Sequence, residues 1–166
     1  YAEVWSQSDE WKESSRKRAV DLLRNKIHTA NTKPQIILNQ LLDSMQIKYI
    51  NEYSCIYYSI DNYLPDHNLM IEVMGDFWHA HPNKYNEANY RDMQIQRIIK
   101  DKSKHAFIKK HYGIEILYIW EDDLYHNLDL CRSLIELYIQ APELKTYHSY
   151  NYHLSGTSLI VNENMI

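Results

Sequence analysis

A chain of 166 residues with 45% hydrophobic side chains and only three glycines can bury one core but not two ordinary domains plus a linker, and it excludes a collagen-like, low-complexity or wholly disordered protein. Its two cysteines, Cys55 and Cys131, exclude a disulfide framework and a four-cysteine zinc site and fit a reducing compartment, while the lack of about 18 consecutive apolar residues or of a signal-peptide pattern gives no argument for a membrane. The formal net charge of −4 would disfavour a polyanionic partner if it were evenly spread, but seven Lys or Arg face two acids between Lys12 and Lys33, and seven face two between Arg91 and Lys110.

Residues 5 to 28 carry Trp5, Trp11, Val20, Leu23 and Ile27 at loosely helical spacing, which predicts a helix with a basic outer side including Arg16, Lys17 and Arg18. Thr32-Lys33-Pro34 reads as a helix start, and the helix runs to about Met45 with Ile37, Leu38, Leu41 and Leu42 facing a core. Ile47 to Ile50 is a short strand candidate, and the Tyr- and Ile-rich stretch from Cys55 to Leu64 is a second. Pro65 to Asn68 is a turn, and Leu69 to Met74 is an apolar strand that completes a hairpin. Past an irregular stretch with Gly75 and Pro82, a long helix is expected from about Glu87 to Tyr112, ended by Gly113 as C-cap. Ile114 to Trp120 is a nearly unbroken apolar run, expected as an interior strand covered on both faces, and strand, helix and strand in this order form a crossover unit. A helix from about Leu128 to Gln140 closes the core. The Tyr-, Asn- and Ser-rich end from Ala141 reads as an arm or disordered tail. The expected class is therefore α/β, a mixed central sheet flanked by helices, organised as a basic helical arm or linker (1–28), a central domain (29–140) and a C-terminal arm (141–166).

If Leu64 pairs with Leu69 across the four-residue loop, the antiparallel register sets Asp61 directly opposite Glu72. Adjacent like charges destabilise a sheet unless something positive sits between them, and a divalent cation is one solution. Hydrolysis of a phosphodiester needs a metal on hard oxygen ligands, a group that moves a proton, and charge stabilisation for the leaving oxygen. Asp61, Glu72, His79 and Asp101 could supply these. Each also has an ordinary structural alternative: a turn cap for Asp61, a lysine partner for Glu72, an exposed helical position for Asp101.

The sequence Ile60-Asp61-Asn62-Tyr63-Leu64-Pro65, followed by Ile71-Glu72-Val73-Met74-Gly75-Asp76-Phe77-Trp78-His79, resembles the very short patch repair (Vsr-like) endonuclease fold, a branch of the PD-(D/E)XK nucleases, and most of all its phage-borne EDxHD homing-endonuclease relatives. Asp101 in a basic helix and Ile114 to Glu121 extend the resemblance, which covers roughly Ile27 to Tyr125. It implies a Vsr-like nuclease core, double-stranded DNA as substrate, Mg2+ or Mn2+ as cofactor, and the cytoplasm of a phage's bacterial host as location. It also implies roles: Asp61 as metal-binding carboxylate with the Val73 backbone carbonyl as second protein ligand, His79 as general acid or base, and Asp101 orienting that imidazole; Glu72, opposite Asp61 in the expected register, is a further candidate ligand. Phe77 and Trp78 stand where the family drives aromatic wedges between base pairs, with ordinary core packing as the alternative. Arg91, Arg97, Lys100 and Lys104, with the N-terminal basic residues, would meet phosphates.

Three departures qualify the resemblance. The family's first acid falls at Gln35, whose amide cannot ionise, through native drift or a deliberate replacement of glutamate. Met74 takes the place of the superfamily's lysine, so His79 would have to supply part of that lysine's work. The repair enzymes' structural zinc cannot be rebuilt from two thiols. His81 could join His79 in a metal site, but a solvent-facing His81 is the preferred expectation. Because the chain starts at Tyr1 rather than Met, a preceding DNA-recognition region is expected, and a homodimer would allow a double-strand cut.

Overall fold

The structure, a computed structural model, describes residues 16–17 and 32–163. Arg16 and Lys17 are helical and exposed, with the Arg16 guanidinium 5.7 Å from the Tyr57 ring centre. Arg18 and the rest of the expected N-terminal helix lie outside the described residues.

Helix α1 (Lys33–Ser44) begins as its sequence demands: Thr32 is extended at φ −64°, ψ 155°, and Pro34 stands in the first turn, where its missing N–H is no loss. Strands β1 (Ile50–Cys55), β2 (Tyr58–Leu64) and β3 (Leu69–Met74) are antiparallel neighbours in that order. The β2–β3 register has the expected pairing, Leu64↔Leu69, Tyr63↔Met70 and Asn62↔Ile71, with Pro65 to Asn68 as the loop. The first hairpin differs from expectation. Its strand is Ile50–Cys55 rather than Ile47 to Ile50, and Cys55 pairs with Tyr58 across a two-residue turn. Ile56 takes a positive φ of 42° there, a position that glycine or asparagine normally fills, so no turn signal stands in the sequence.

Helix α2 (Asp92–Tyr112) carries the chain back over one sheet face to strand β4 (Leu117–Trp120), parallel to β3. Arg91 N–H donates to the Gln94 side chain at 3.0 Å, and Gly113 closes the helix at φ 67°. Asp92 in the first turn and Lys109, Lys110 and His111 in the last suit the helix dipole. The expected start at Glu87 is instead a short 3₁₀ turn, Glu87–Asn89. Helices α3 (Glu121–His126) and α4 (Leu128–Gln140) follow.

The β3 alternation divides the core. Leu69 and Ile71 join Leu38, Leu42, Leu117, Leu134 and Tyr138 on the face covered by α1, α3 and α4. Met70 and Met74 join Ile108, Ile116, Tyr118 and Trp120 on the α2 side. Glu72 shares the parity of Met70 and Met74, so the period of two puts a carboxylate on the face that α2 covers.

Two expectations are corrected here. Strand β4, though fully buried, is the last in its sheet and not an interior strand. Its outer edge is covered by the chain beyond Ala141: Tyr118 N–H donates to the Tyr147 carbonyl at 2.7 Å, and Trp120 N–H to Ser149 Oγ at 2.8 Å. That segment is therefore no free tail. It continues into a hairpin, β5 (Tyr152–Ser155) and β6 (Ser158–Val161), whose Tyr152, Leu154 and Leu159 pack on the first core face. Covering an exposed strand edge satisfies its backbone groups and forestalls pairing with another chain.

Candidate active site

The β2–β3 ladder runs as far as the pair Asn62 and Ile71, and Asp61 and Glu72 are the next residue on each strand. Their side chains are close enough to hydrogen-bond to one another. Asp61 Oδ2 accepts the Val73 N–H at 2.8 Å, so here the carboxylate takes a hydrogen bond that the neighbouring backbone would otherwise make. Burial first, and then the charge and hydrogen bond of Glu72, hold the Asp61 carboxyl well above the usual carboxylate range, while Lys104 and the Val73 N–H act in the opposite sense.

A buried amide network fixes the backbone at this point. Asn39 of α1 and Asn51 of β1 bond one another at 3.0 Å, Asn62 donates to Asn39 at 2.8 Å, and Asn51 donates to the Asp61 carbonyl at 3.1 Å. Gln35, 5% exposed, reaches the same place: its Nε2 lies 3.5 Å from the Asp61 carbonyl and 3.4 Å from Glu52 Oε1. Gln35 therefore sits beside the backbone of Asp61. Glu52, whose Oε2 also accepts from Ser59 Oγ at 2.9 Å, is a carboxylate that sequence reasoning missed. Its φ of 49° takes it out of the regular ladder, an irregularity with no signature in the residue type.

The segment after β3 turns back on itself and delivers His79. His79 N–H bonds to the Gly75 carbonyl at 3.0 Å and His81 N–H to the Asp76 carbonyl at 2.8 Å. Buried Gln94 anchors the turn from α2 by donating to the Phe77 carbonyl at 2.7 Å, and Asp76 Oδ2 holds Lys84 Nζ at 2.7 Å. His79 Nδ1 then meets Asp101 Oδ2 at 2.5 Å, the pairing implied for these two residues. With Nδ1 engaged, Nε2 is the nitrogen left to exchange a proton with a reacting group.

Asp101 and Lys104 are one turn apart on α2 and so share a helix face. Asp101 meets His79, and the Lys104 ammonium meets Glu72 Oε1. Hence Asp61, Glu72, Lys104, Asp101 and His79 gather on one side of the sheet. Burial opposes the Lys104 charge, but Glu72, Asp61 and Asp101 outweigh it, and its pKa lies above the ordinary lysine value. The Lys104 ammonium thus turns inward to Glu72 rather than outward as expected, whereas Arg91, Arg97 and Lys100 are exposed.

Trp78 projects, 51% exposed, whereas Phe77 is half-buried against Trp78, Tyr85 and the Arg91 guanidinium, which lies 5.6 Å from its ring centre. His81 corrects a second expectation. It is 3% exposed, packs against Trp120 and Tyr150, and accepts the Asn83 N–H at 3.1 Å on Nδ1. A cleft of about 580 Å³ opens beside His79 and Asp101, walled by Tyr90, Tyr118, Trp120 and Tyr150. His148 stacks on Tyr118 there; burial, then the charge of His105, pushes it down to about 4, and its Nδ1 accepts the Trp120 indole N–H at 3.0 Å.

Among the described residues no group of three or more His, Cys, Asp or Glu is arranged to hold a metal. The Asp61–Glu72 pair still suits a hard dication, because Mg2+ keeps several waters and takes one or two protein carboxylates. A carboxyl driven towards its protonated form by burial and by its neighbour's charge is also what such an ion would relieve. Cys55 and Cys131 are fully buried in different core clusters, so they do not form a zinc pair.

No protein-family model and no curated protein matches the chain. Among solved structures, the chain is similar to the catalytic domain of the homing endonuclease I-Bth0305I, with 23% identity and a TM-score of 0.48 over 66% of this chain and 97% of that domain.

Proposed function

We propose that this protein is a metal-dependent DNA endonuclease that hydrolyses phosphodiester bonds, of the homing type that its sequence resembles. The observation that carries the reading is the meeting, under one helix, of a crowded carboxylate pair and an Asp-oriented histidine. Asp61 and Glu72 would hold Mg2+ or Mn2+. In an extended strand the N–H and C=O of one residue face the same neighbour, so the Val73 carbonyl belongs on the Asp61 side, as the resemblance implies. The ion would supply Lewis-acid polarisation of a phosphoryl oxygen and a water of lowered pKa.

The chain's own groups have separate tasks. His79 moves a proton at Nε2, and Asp101 keeps its ring in position. The exposed Arg91, Arg97 and Lys100 hold the phosphate backbone, and Trp78 is free to wedge against bases. A preceding region or a second copy of the chain would add target recognition and the second cut.

Gln35 favours one second reading, a DNA-binding module that no longer cleaves, since a neutral amide lies beside Asp61. A mismatch-repair nickase is less favoured, because the two thiols are apart. Nicking of supercoiled plasmid with Mg2+ separates the readings. Cleavage that strengthens with Gln35→Glu and is lost with Asp61→Ala supports the enzyme. Duplex binding without cleavage in the parent, Gln35→Glu and Asp61→Ala proteins would establish the inert module.

A further inference from the structure

Lys104 stands where a surface lysine has no reason to be. On α2 the residues turned to the sheet follow helical spacing: Gln94 and Ile108 are buried, and Asp101, Lys104 and His105 lie between them on the same stripe. The Lys104 side chain is 22% exposed, against 63% for Lys109 on the same helix. A flexible ammonium loses hydration in such a place unless a specific anion holds it. Glu72 Oε1 is in contact with it, and the charges of Asp61 and Asp101 act on it as well.

The strand offers no cation of its own. Met74, two residues beyond Glu72 on the same sheet face, ends in a thioether and is 5% exposed within the apolar cluster under α2. An apolar side chain there leaves the Asp61–Glu72 repulsion unrelieved from β3, so relief has to come from the covering helix.

We propose that Lys104 is the built-in counter-ion of the Asp61–Glu72 pair, supplying from α2 the positive charge that Met74 does not, and that a divalent cation binds by displacing its ammonium from Glu72. The displacement half rests on the endonuclease reading. Before metal arrives, Lys104 holds the two carboxylates together and prevents Glu72 from turning away. As a positioning residue it acts through the carboxylates, and in the metal-free protein it makes no phosphate contact.

The test is direct Mn2+ binding to the whole chain without DNA, followed by calorimetry and by the free-ion paramagnetic resonance signal. The proteins compared are the parent, Lys104→Met, Lys104→Arg and Asp61→Asn. Expected is Mn2+ binding at least tenfold tighter in Lys104→Met, near-parental binding in Lys104→Arg, and loss in Asp61→Asn. Lys104→Gln replaces Lys104→Met if a thermal melt shows the latter unfolded. Parental or weaker affinity in the folded neutral variant overturns the counter-ion role, even if the Gln35→Glu protein cuts plasmid and the endonuclease reading stands. Absence of Mn2+ binding from all the proteins overturns both together. In EDTA, the salt dependence of duplex binding should be the same for Lys104→Met and the parent. A slope reduced by about one in that variant would make Lys104 an ordinary phosphate contact and refute the proposal.

Discussion

Asp101→Asn isolates the contribution of the carboxylate behind His79. The replacement keeps the side chain's size and removes its charge from a 2.5 Å contact whose partners are 16% and 23% exposed. A hydrogen bond to a charged group contributes about 1.5–3 kcal/mol, and at about 1.4 kcal/mol per decade this is a ~10- to 150-fold loss of rate if the full amount is expressed in the transition state. The assay is single-turnover nicking in a Gln35→Glu background at saturating Mg2+, so that substrate binding does not enter. If Asp101 acts only through His79, its replacement in a His79→Ala background should change the rate by less than twofold, and the coupling of the cycle should equal the whole single-mutant effect. A loss below threefold in the His79 protein, or full additivity of the two substitutions, would refute the assignment. Thermal stability should move little, because partly exposed pairs are screened by solvent.

Other consequences test the fold and the DNA surface. His148 should make the protein acid-sensitive: its value of about 4 lies below the ordinary 6.5, so the fold favours the neutral ring, and stability present above pH 6.5 is lost as pH falls towards 4. The difference between these two values corresponds to roughly 3 kcal/mol, and denaturant melts of His148→Asn should show that much less acid destabilisation than the parent between pH 7 and 4. Tyr138→Phe should cost about 1–3 kcal/mol in urea melts, since the buried hydroxyl donates to the Glu115 carbonyl at 2.5 Å and accepts the Met70 N–H at 3.4 Å. Arg97→Ala and Lys100→Ala should each lower the salt slope of duplex binding by about one without altering the melting temperature, and an unchanged slope removes that residue from the interface. Trp78→Ala should weaken binding while leaving stability intact, because the ring is half exposed; a large drop in melting temperature would show that it is a packing residue.

The legible parts of this protein are those that local physics decides. Pro34 after an extended Thr32, Gly113 at a positive φ, the four-residue loop at Pro65 and the apolar run into Trp120 each specify an element through nearest neighbours alone. Given the loop length, the period of two puts Asp61 and Glu72 one step beyond the Asn62–Ile71 pair, so the nearness of the two carboxylates could be read before any tertiary contact was known. The His79–Asp101 pairing rested on resemblance, as 22 residues separate the two and no local rule joins them.

Other features depend on which surfaces meet. Ile56 and Glu52 accept positive φ values that their side chains disfavour, so neither the first hairpin nor the Glu52 carboxylate announces itself. His81 and Lys104 have side chains that are ordinarily solvated, and only the packing of Trp120 over one and the charge of Glu72 beside the other turn them inward. The chain after Ala141, polar enough to read as a tail, is fastened by the unpaired edge of β4, a set of backbone donors that no side-chain pattern records. Short-range steric and hydrogen-bonding preferences thus sufficed for the helices and the hairpin register. Burial of charge and completion of a strand edge required distant segments to come together, because their free energy resides in contacts that exist only once the chain has folded.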